Sequence, residues 1–191
     1  LDTPTLQVDV HAQGADGSTS THTLSVGDVA ASGHYAKSES APYVFTLDSS
    51  FVQGMPTSDF RLGPKKLLDF QRKTVDRVEF IYPDRSILCV RDNNAWVAAS
   101  PPGPIDGNEM EAILFTMEQL EAVAFTEGSQ SLRTPSLRVR AWAASEIVAD
   151  LSLGQVEGDR VHARGSLIER GTLVEKAEAD RLMPERIFVG E

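Results

Sequence analysis

Two distant stretches of this sequence follow one plan. Thr23-Leu24-Ser25-Val26-Gly27-Asp28 precedes His34-Tyr35-Ala36-Lys37, and Asp150-Leu151-Ser152-Leu153-Gly154-Gln155 precedes Val161-His162-Ala163-Arg164 at the same spacing. Self-similarity of this kind narrows the architecture before any single element does, because each copy must bury its apolar face in the same way. Each copy runs on into a short β-rich stretch, Tyr43-Val44-Phe45-Thr46-Leu47 or Thr172-Leu173-Val174, and then into a short helix. Asp48 is the expected N-cap of the first helix, its carboxylate placed to accept from the first helical amides. The second helix is expected over 175–183, stopped by Pro184. Ahead of each copy lies an alternating segment, Leu6-Gln7-Val8-Asp9-Val10 or Leu137-Arg138-Val139-Arg140-Ala141-Trp142. A period of two belongs to a strand with one face buried. The unit thus reads as a hairpin, one or two further strands, and a helix.

A related unit lies between these copies. Val75-Asp76-Arg77-Val78-Glu79-Phe80-Ile81-Tyr82, a Pro83-Asp84-Arg85 turn, 87–91, an Asn93-Asn94 turn and 95–99 describe a three-stranded meander. The two-residue turn sets Trp96 opposite Arg91 and Cys89 opposite Ala98 on one face, with Val90 and Val97, then Leu88 and Ala99, on the other. The loop over 100–107, rich in proline and glycine, is expected to end the strand. It leads into a helix over 109–123, where Met110, Ile113, Leu114, Met117 and Leu120 recur at helical spacing. The polar stretches 57–73 and 126–136 read as joints. The reading is therefore α+β, mainly antiparallel sheet with helices packed on one face, in three units at 1–56, 57–125 and 126–191 that are able to form one compact domain.

Charge and cysteine content exclude several function classes. Eighteen Lys and Arg against 28 Asp and Glu give a net charge of -10, a field that repels phosphate backbones and anionic lipid head groups, so nucleic acid is not an expected partner. The basic run from Arg61 to Lys66, with Arg72 and Lys73, reads as a solvated loop. Cys89 is the only cysteine, which rules out an intrachain disulfide and a cysteine-based metal cluster. Its apolar neighbours favour an inert buried thiol over a nucleophile. No window of about 18 apolar residues is present, so no membrane span is expected within the chain, and Leu1 in place of Met suggests a processed or trimmed soluble portion.

His11 and His22 are the one local pair with metal-ligand character, yet pairing the apolar positions Leu6, Val8 and Val10 with Leu24 and Val26 puts the two imidazoles on opposite faces. No metal or other cofactor is expected. His34 and His162 suit packing or a hydrogen bond; of the acidic pairs Glu109 with Glu111 and Glu118 with Glu121, the second, at i, i+3, suits a solvated helix face, and no acid–base role is assigned from either. No nucleophile elbow, P-loop, dinucleotide fingerprint, H-E-x-x-H or EF-hand loop occurs, which argues against an enzyme. Arg91, Trp96 and Trp142 are the candidate interaction surface. Trp142 shares the parity of Arg138 and Arg140, and two tryptophans on outward faces would be adhesive. The competing reading packs Trp96 under a neighbouring helix or unit with Arg91 over its ring.

The middle of the chain carries a resemblance. Arg61, Lys65-Lys66-Leu67-Leu68-Asp69-Phe70, Val75, Val78-Glu79-Phe80, Trp96 followed by Ala98, a proline-rich loop and the helix to Phe125 together resemble an uncharacterised bacterial family, domain of unknown function 4340, over about residues 43–125. The resemblance implies a periplasmic or otherwise extracytoplasmic protein, anchored by a membrane segment that this sequence lacks, and encoded near ABC transporters of the gliding-motility type. It implies no catalytic residue. The expected function is a non-catalytic interaction or accessory module with a protein partner, such as components of a membrane transporter. The alternative is a protein that binds a small molecule or glycan in a site between repeat units.

Overall fold

A computed structural model describes residues 3–126, 132–168 and 170–188. The chain divides into two compact units, Leu1–Arg61 and Leu62–Glu191.

The first unit is a four-stranded antiparallel sheet, β1 (Leu6–Gln13), β2 (Thr19–Ala30), β3 (Gly33–Ser38) and β4 (Phe45–Leu47), in sequential order. Helix α1 (Ser49–Gly54) follows β4. Its N-cap is Asp48, whose side chain accepts from the Ser50 amide at 2.7 Å. Leu6 pairs with Val26, Val8 with Leu24 and Val10 with His22. His11 meets Thr21, so the two histidines stand on opposite faces as the parity argument requires.

In the second unit, after a four-residue helix α2 (Asp59–Leu62) that spans the boundary, a 3-10 turn at Arg72–Thr74 leads into the larger sheet. Its strands are β5 (Arg77–Ile81), β6 (Ser86–Asp92), β7 (Ala95–Ser100), β8 (Pro102–Pro104), β9 (Ala124–Thr126), β10 (Leu137–Ala143), β11 (Glu146–Glu157), β12 (Arg160–Arg164) and β13 (Gly171–Glu175). They lie in the order β8-β7-β6-β5-β10-β11-β12-β13-β9. The stretches expected as second and third units therefore share one sheet, joined where β5 pairs antiparallel with β10. Helix α3 (Gly107–Gln119) buries Met110, Ile113, Leu114 and Met117, the positions that the helical period selects. Asp106 caps it, accepting from the Asn108 and Glu109 amides. Helix α4 (Lys176–Asp180) packs against β12 and β13, and a 3-10 turn at Pro184–Arg186 follows.

The two matching stretches have matching ladders. Val26 pairs with Ala36 and Val29 with His34 across a bulge. Leu153 pairs with Ala163 and Val156 with Val161 across a bulge at the same place. His34 meets Leu47, and Val161 meets Val174. Even the entry to the first strand agrees. The Thr5 hydroxyl donates to the Val26 and Gly27 carbonyls, and the Ser136 hydroxyl donates to those of Leu153 and Gly154.

Three expectations change. The proline loop does not simply end the meander: Pro102–Pro104 forms β8, pairing Ala99 with Pro102 and Val97 with Pro104. An edge position tolerates this, since a missing N–H matters only on a side that has a neighbour. The same region shifts register, so Leu88 faces Ser100 rather than Ala99. The joint over 57–73 is polar only in part, because Leu67 and Leu68 are fully buried and Leu67 bonds Leu120 and Leu167 through its backbone. Of the joint over 126–136, residues 127–131 lie outside the described residues, and Ala124–Thr126 forms a strand beside β13.

Candidate functional site

Of the expected surface residues Arg91, Trp96 and Trp142, the larger sheet keeps Arg91 beside Trp96 and sets Trp142 on the opposite face. Core-face residues run through Val78, Phe80, Ile87, Cys89 and Ala98, and the ladders put Trp96 in phase with Ala98. Trp96 is accordingly 6% exposed, beneath α3. Trp142 is out of phase with the buried Ala141 and Val139, so it lies half-buried on the opposite face. Alternation fixes which residues go together. It does not say which face the helix covers, and the small side chains of Cys89 and Ala98 mark that face.

Around Trp96 the structure builds a closed network. The Arg91 guanidinium lies 4.9 Å from the indole centroid. Glu111 of α3 accepts from Trp96 Nε1 at 2.9 Å and from Arg91 through the same oxygen. Arg72 approaches the other Glu111 oxygen at 3.8 Å, engages Glu118 at 3.4 Å and lies 5.3 Å from the Phe115 ring centroid. Glu111 thus ties α3 to the sheet, and Glu118, expected on a solvated face, ties it to Arg72 in the turn ahead of β5. No spacing rule in the sequence links Glu111 to Trp96; the signal was only that Glu111 lies one turn from the buried Leu114 on the same helix. Cys89 is buried beside this region, and burial pushes its thiol up to about 11, which removes it from nucleophilic chemistry.

The opposite face offers open, polar ground. Arg138 grips Asp150 with two bonds, Nε to Oδ1 at 2.7 Å and Nη2 to Oδ2 at 2.6 Å, and Arg140 reaches Oδ2 at 3.3 Å. Burial raises the Asp150 carboxyl, but the hydrogen bonds and charge of Arg138, with those of Arg140, outweigh it and hold the pKa below the ordinary value. Asp150, Arg138, Ser152, Arg164 and Ser166 line an open depression of about 370 Å3. Arg138 and Arg140 also line a second one of about 370 Å3, with Tyr82, Pro83 and Pro135 on its rim. This second depression lies where β5 meets β10, at the junction of the expected second and third units. Arg138 lines both depressions.

Charge and shape set what such depressions take. Three guanidiniums, Arg138, Arg140 and Arg164, stand against two carboxylates, Asp150 and Glu79, the latter directly across the ladder from Arg140. The arginines outnumber the carboxylates here, on a chain of net charge -10. The rim supplies apolar and hydrogen-bonding surface. Tyr82 donates to Glu185 at 3.0 Å under the Arg85 guanidinium, and burial together with Glu185 pushes its phenol up to about 12, so it stays protonated. Beside the depressions, Arg77 lies 5.7 Å from the Trp142 ring centroid. No group of three or more His, Cys, Asp or Glu is placed to hold a metal among the described residues. No helix there is long and apolar enough to cross a membrane.

His34 and His162 each make one contact, His34 Nδ1 with the Gly27 carbonyl at 3.4 Å and His162 Nε2 with Glu157 at 3.2 Å.

Comparison with known proteins gives no match among curated proteins or solved structures. A family model does match, over residues 1–139, well beyond the central stretch that carried the sequence resemblance. The chain belongs to the family described as a domain of unknown function, DUF4340.

Proposed function

We propose that this chain is a non-catalytic accessory module that binds a protein partner on the extracytoplasmic side of a membrane, in association with an ABC-transporter-type complex, and that it is built from a repeated unit of four strands and a helix with the helices on one face. The observation that carries the binding role is the pair of open depressions lined by Arg138, the second of them rimmed by Tyr82, Pro83 and Pro135 where β5 meets β10. Its polar groups are already paired in ways that suit recognition more than turnover. Asp150 is held ionised by two arginines and so makes a poor general acid or base near neutral pH. Glu111 is committed to Arg91 and Trp96, and the Cys89 thiol is buried. Extracytoplasmic placement and the transporter link rest on the family resemblance alone.

The test is an affinity pull-down from source-cell membranes with the wild-type chain, Arg138→Glu and Trp142→Ala. Envelope or transporter proteins retained by the wild type and lost with Arg138→Glu support the reading. Equal recovery by all three chains sinks it. A second reading has its own support in the same two depressions, which are each within the size range of small-ligand sites. A panel of acidic sugars and carboxylates, titrated calorimetrically, separates this ligand role from protein binding.

A further inference from the structure

The strand ends of the two sheets differ in one respect. β4, β8 and β9 close three of the four edges, and each is three residues long. Short edge strands are a common way to deny a template to other chains. The fourth edge is β1, eight residues long and unpaired on its outer side among the described residues.

The equivalent strand in the larger sheet is not left open. Thr5 and Ser136 latch onto the same carbonyls, which equates Leu6, Val8, Asp9 and Val10 with Leu137, Val139, Arg140 and Ala141. β10 is covered by β5, with Val139 facing Phe80, Arg140 facing Glu79 and Ala141 facing Val78. Val139 and Ala141 are 0% exposed, whereas Val8 is half-buried and Val10 is 53% exposed. The same apolar positions are thus buried where a partner strand is present and open where none is.

Charge indicates which strand would fit. Opposite charges at directly opposed positions favour pairing, and like charges disfavour it. Arg140 opposes an acid, and its counterpart on β1 is Asp9. We propose that β1 is a docking edge for an antiparallel strand of another polypeptide, apolar at the positions opposite Val8 and Val10 and carrying Arg or Lys opposite Asp9. Backbone hydrogen bonds along the edge supply affinity and the alternate side chains supply selection, as in other strand additions. In a second copy of this chain, the register that sets Asp9 against Asp9 opposes like charges and is disfavoured. This pairing rests on the repeated unit proposed above and makes no use of the Arg138 depressions.

The β10 sequence is a ready probe, because in this register its Arg140 falls opposite Asp9. A labelled peptide of residues 134–143 is titrated by fluorescence anisotropy into the full chain, into Asp9→Arg and into Arg138→Glu, alongside a peptide carrying Arg140→Glu. Circular dichroism of each variant confirms folding. The expected results are saturable binding of the arginine peptide to the wild type, loss of about tenfold with the glutamate peptide or with Asp9→Arg, and recovery when the glutamate peptide meets Asp9→Arg. Arg138→Glu binds the arginine peptide as the wild type does, which separates this edge from the Arg138 depressions. Absent binding, binding indifferent to the charge swap, or sedimentation showing β1-dependent self-association in place of peptide binding overturns the proposal.

Discussion

Glu111 holds together groups from three parts of the second unit: Trp96 on β7, Arg91 on β6 and Arg72 ahead of β5. Removing it as Glu111→Ala leaves an indole N–H and a guanidinium without their shared acceptor at the margin of the core. The expected cost is about 1–3 kcal/mol in urea unfolding, and Trp96→Ala is expected to cost about 3–5 kcal/mol by emptying the space under α3. Asp150 makes a pH prediction. Because its folded pKa lies below the ordinary 3.8, its contribution is fully present above that value and is lost as the pH falls through the lower folded value. Wild type should therefore exceed Asp150→Asn in stability near neutrality, with the gap narrowing in acid; a gap constant from pH 7 to pH 3 in thermal melts counts against the Arg138 pairing. Ala144 sits at φ 56° in the β10–β11 turn, its amide tied to Asp76 at 2.8 Å. Ala144→Gly relieves that conformation and should stabilise by up to about 1 kcal/mol, read from the shift in urea midpoint.

Among the elements, α3 depends on its first turn as well as its buried stripe. Asp106→Ala removes the acceptor for two orphan amides and should cost about 0.5–2 kcal/mol in urea unfolding, mostly local to α3 and visible as faster amide exchange there. The residues that make this helix were legible beforehand, since Met110, Ile113, Leu114 and Met117 repeat at 3.6. So were the hairpin registers, because parity couples Val8 to Leu24 and two asparagines at φ 46° and 66° fix the Arg91–Trp96 pair. What stayed hidden was decided by tertiary neighbours. A proline-bearing strand such as β8 becomes possible only at an edge, and edge position is a property of the sheet. Leu67 and Leu68 read as part of a joint because two residues carry no period, and only the packed unit shows both fully buried. The depressions escaped notice for a related reason: Arg138, Asp150 and Arg164 come from three strands, and no local spacing announces that they meet.

At the scale of the molecule, the division at Arg61 and Leu62 predicts that residues 62–191 fold alone. Produced without the first 61 residues, this piece should retain a single cooperative thermal transition by circular dichroism, and a broad, non-cooperative loss of signal counts against an independent unit. Gly165 provides a check on packing inside it. A Cβ there would stand 2.2 Å from the Leu67 carbonyl oxygen, so Gly165→Ala must push backbone against backbone and should lower stability by about 1–3 kcal/mol. The unequal strand ends carry one more consequence. Among the described residues β8, with two prolines in three residues, and β9 offer the larger sheet little to elongate from, and β4 does the same for one side of the smaller. Among the described residues β1 is the one edge strand longer than three residues, so the proposed strand addition is expected there and not at the other three edges.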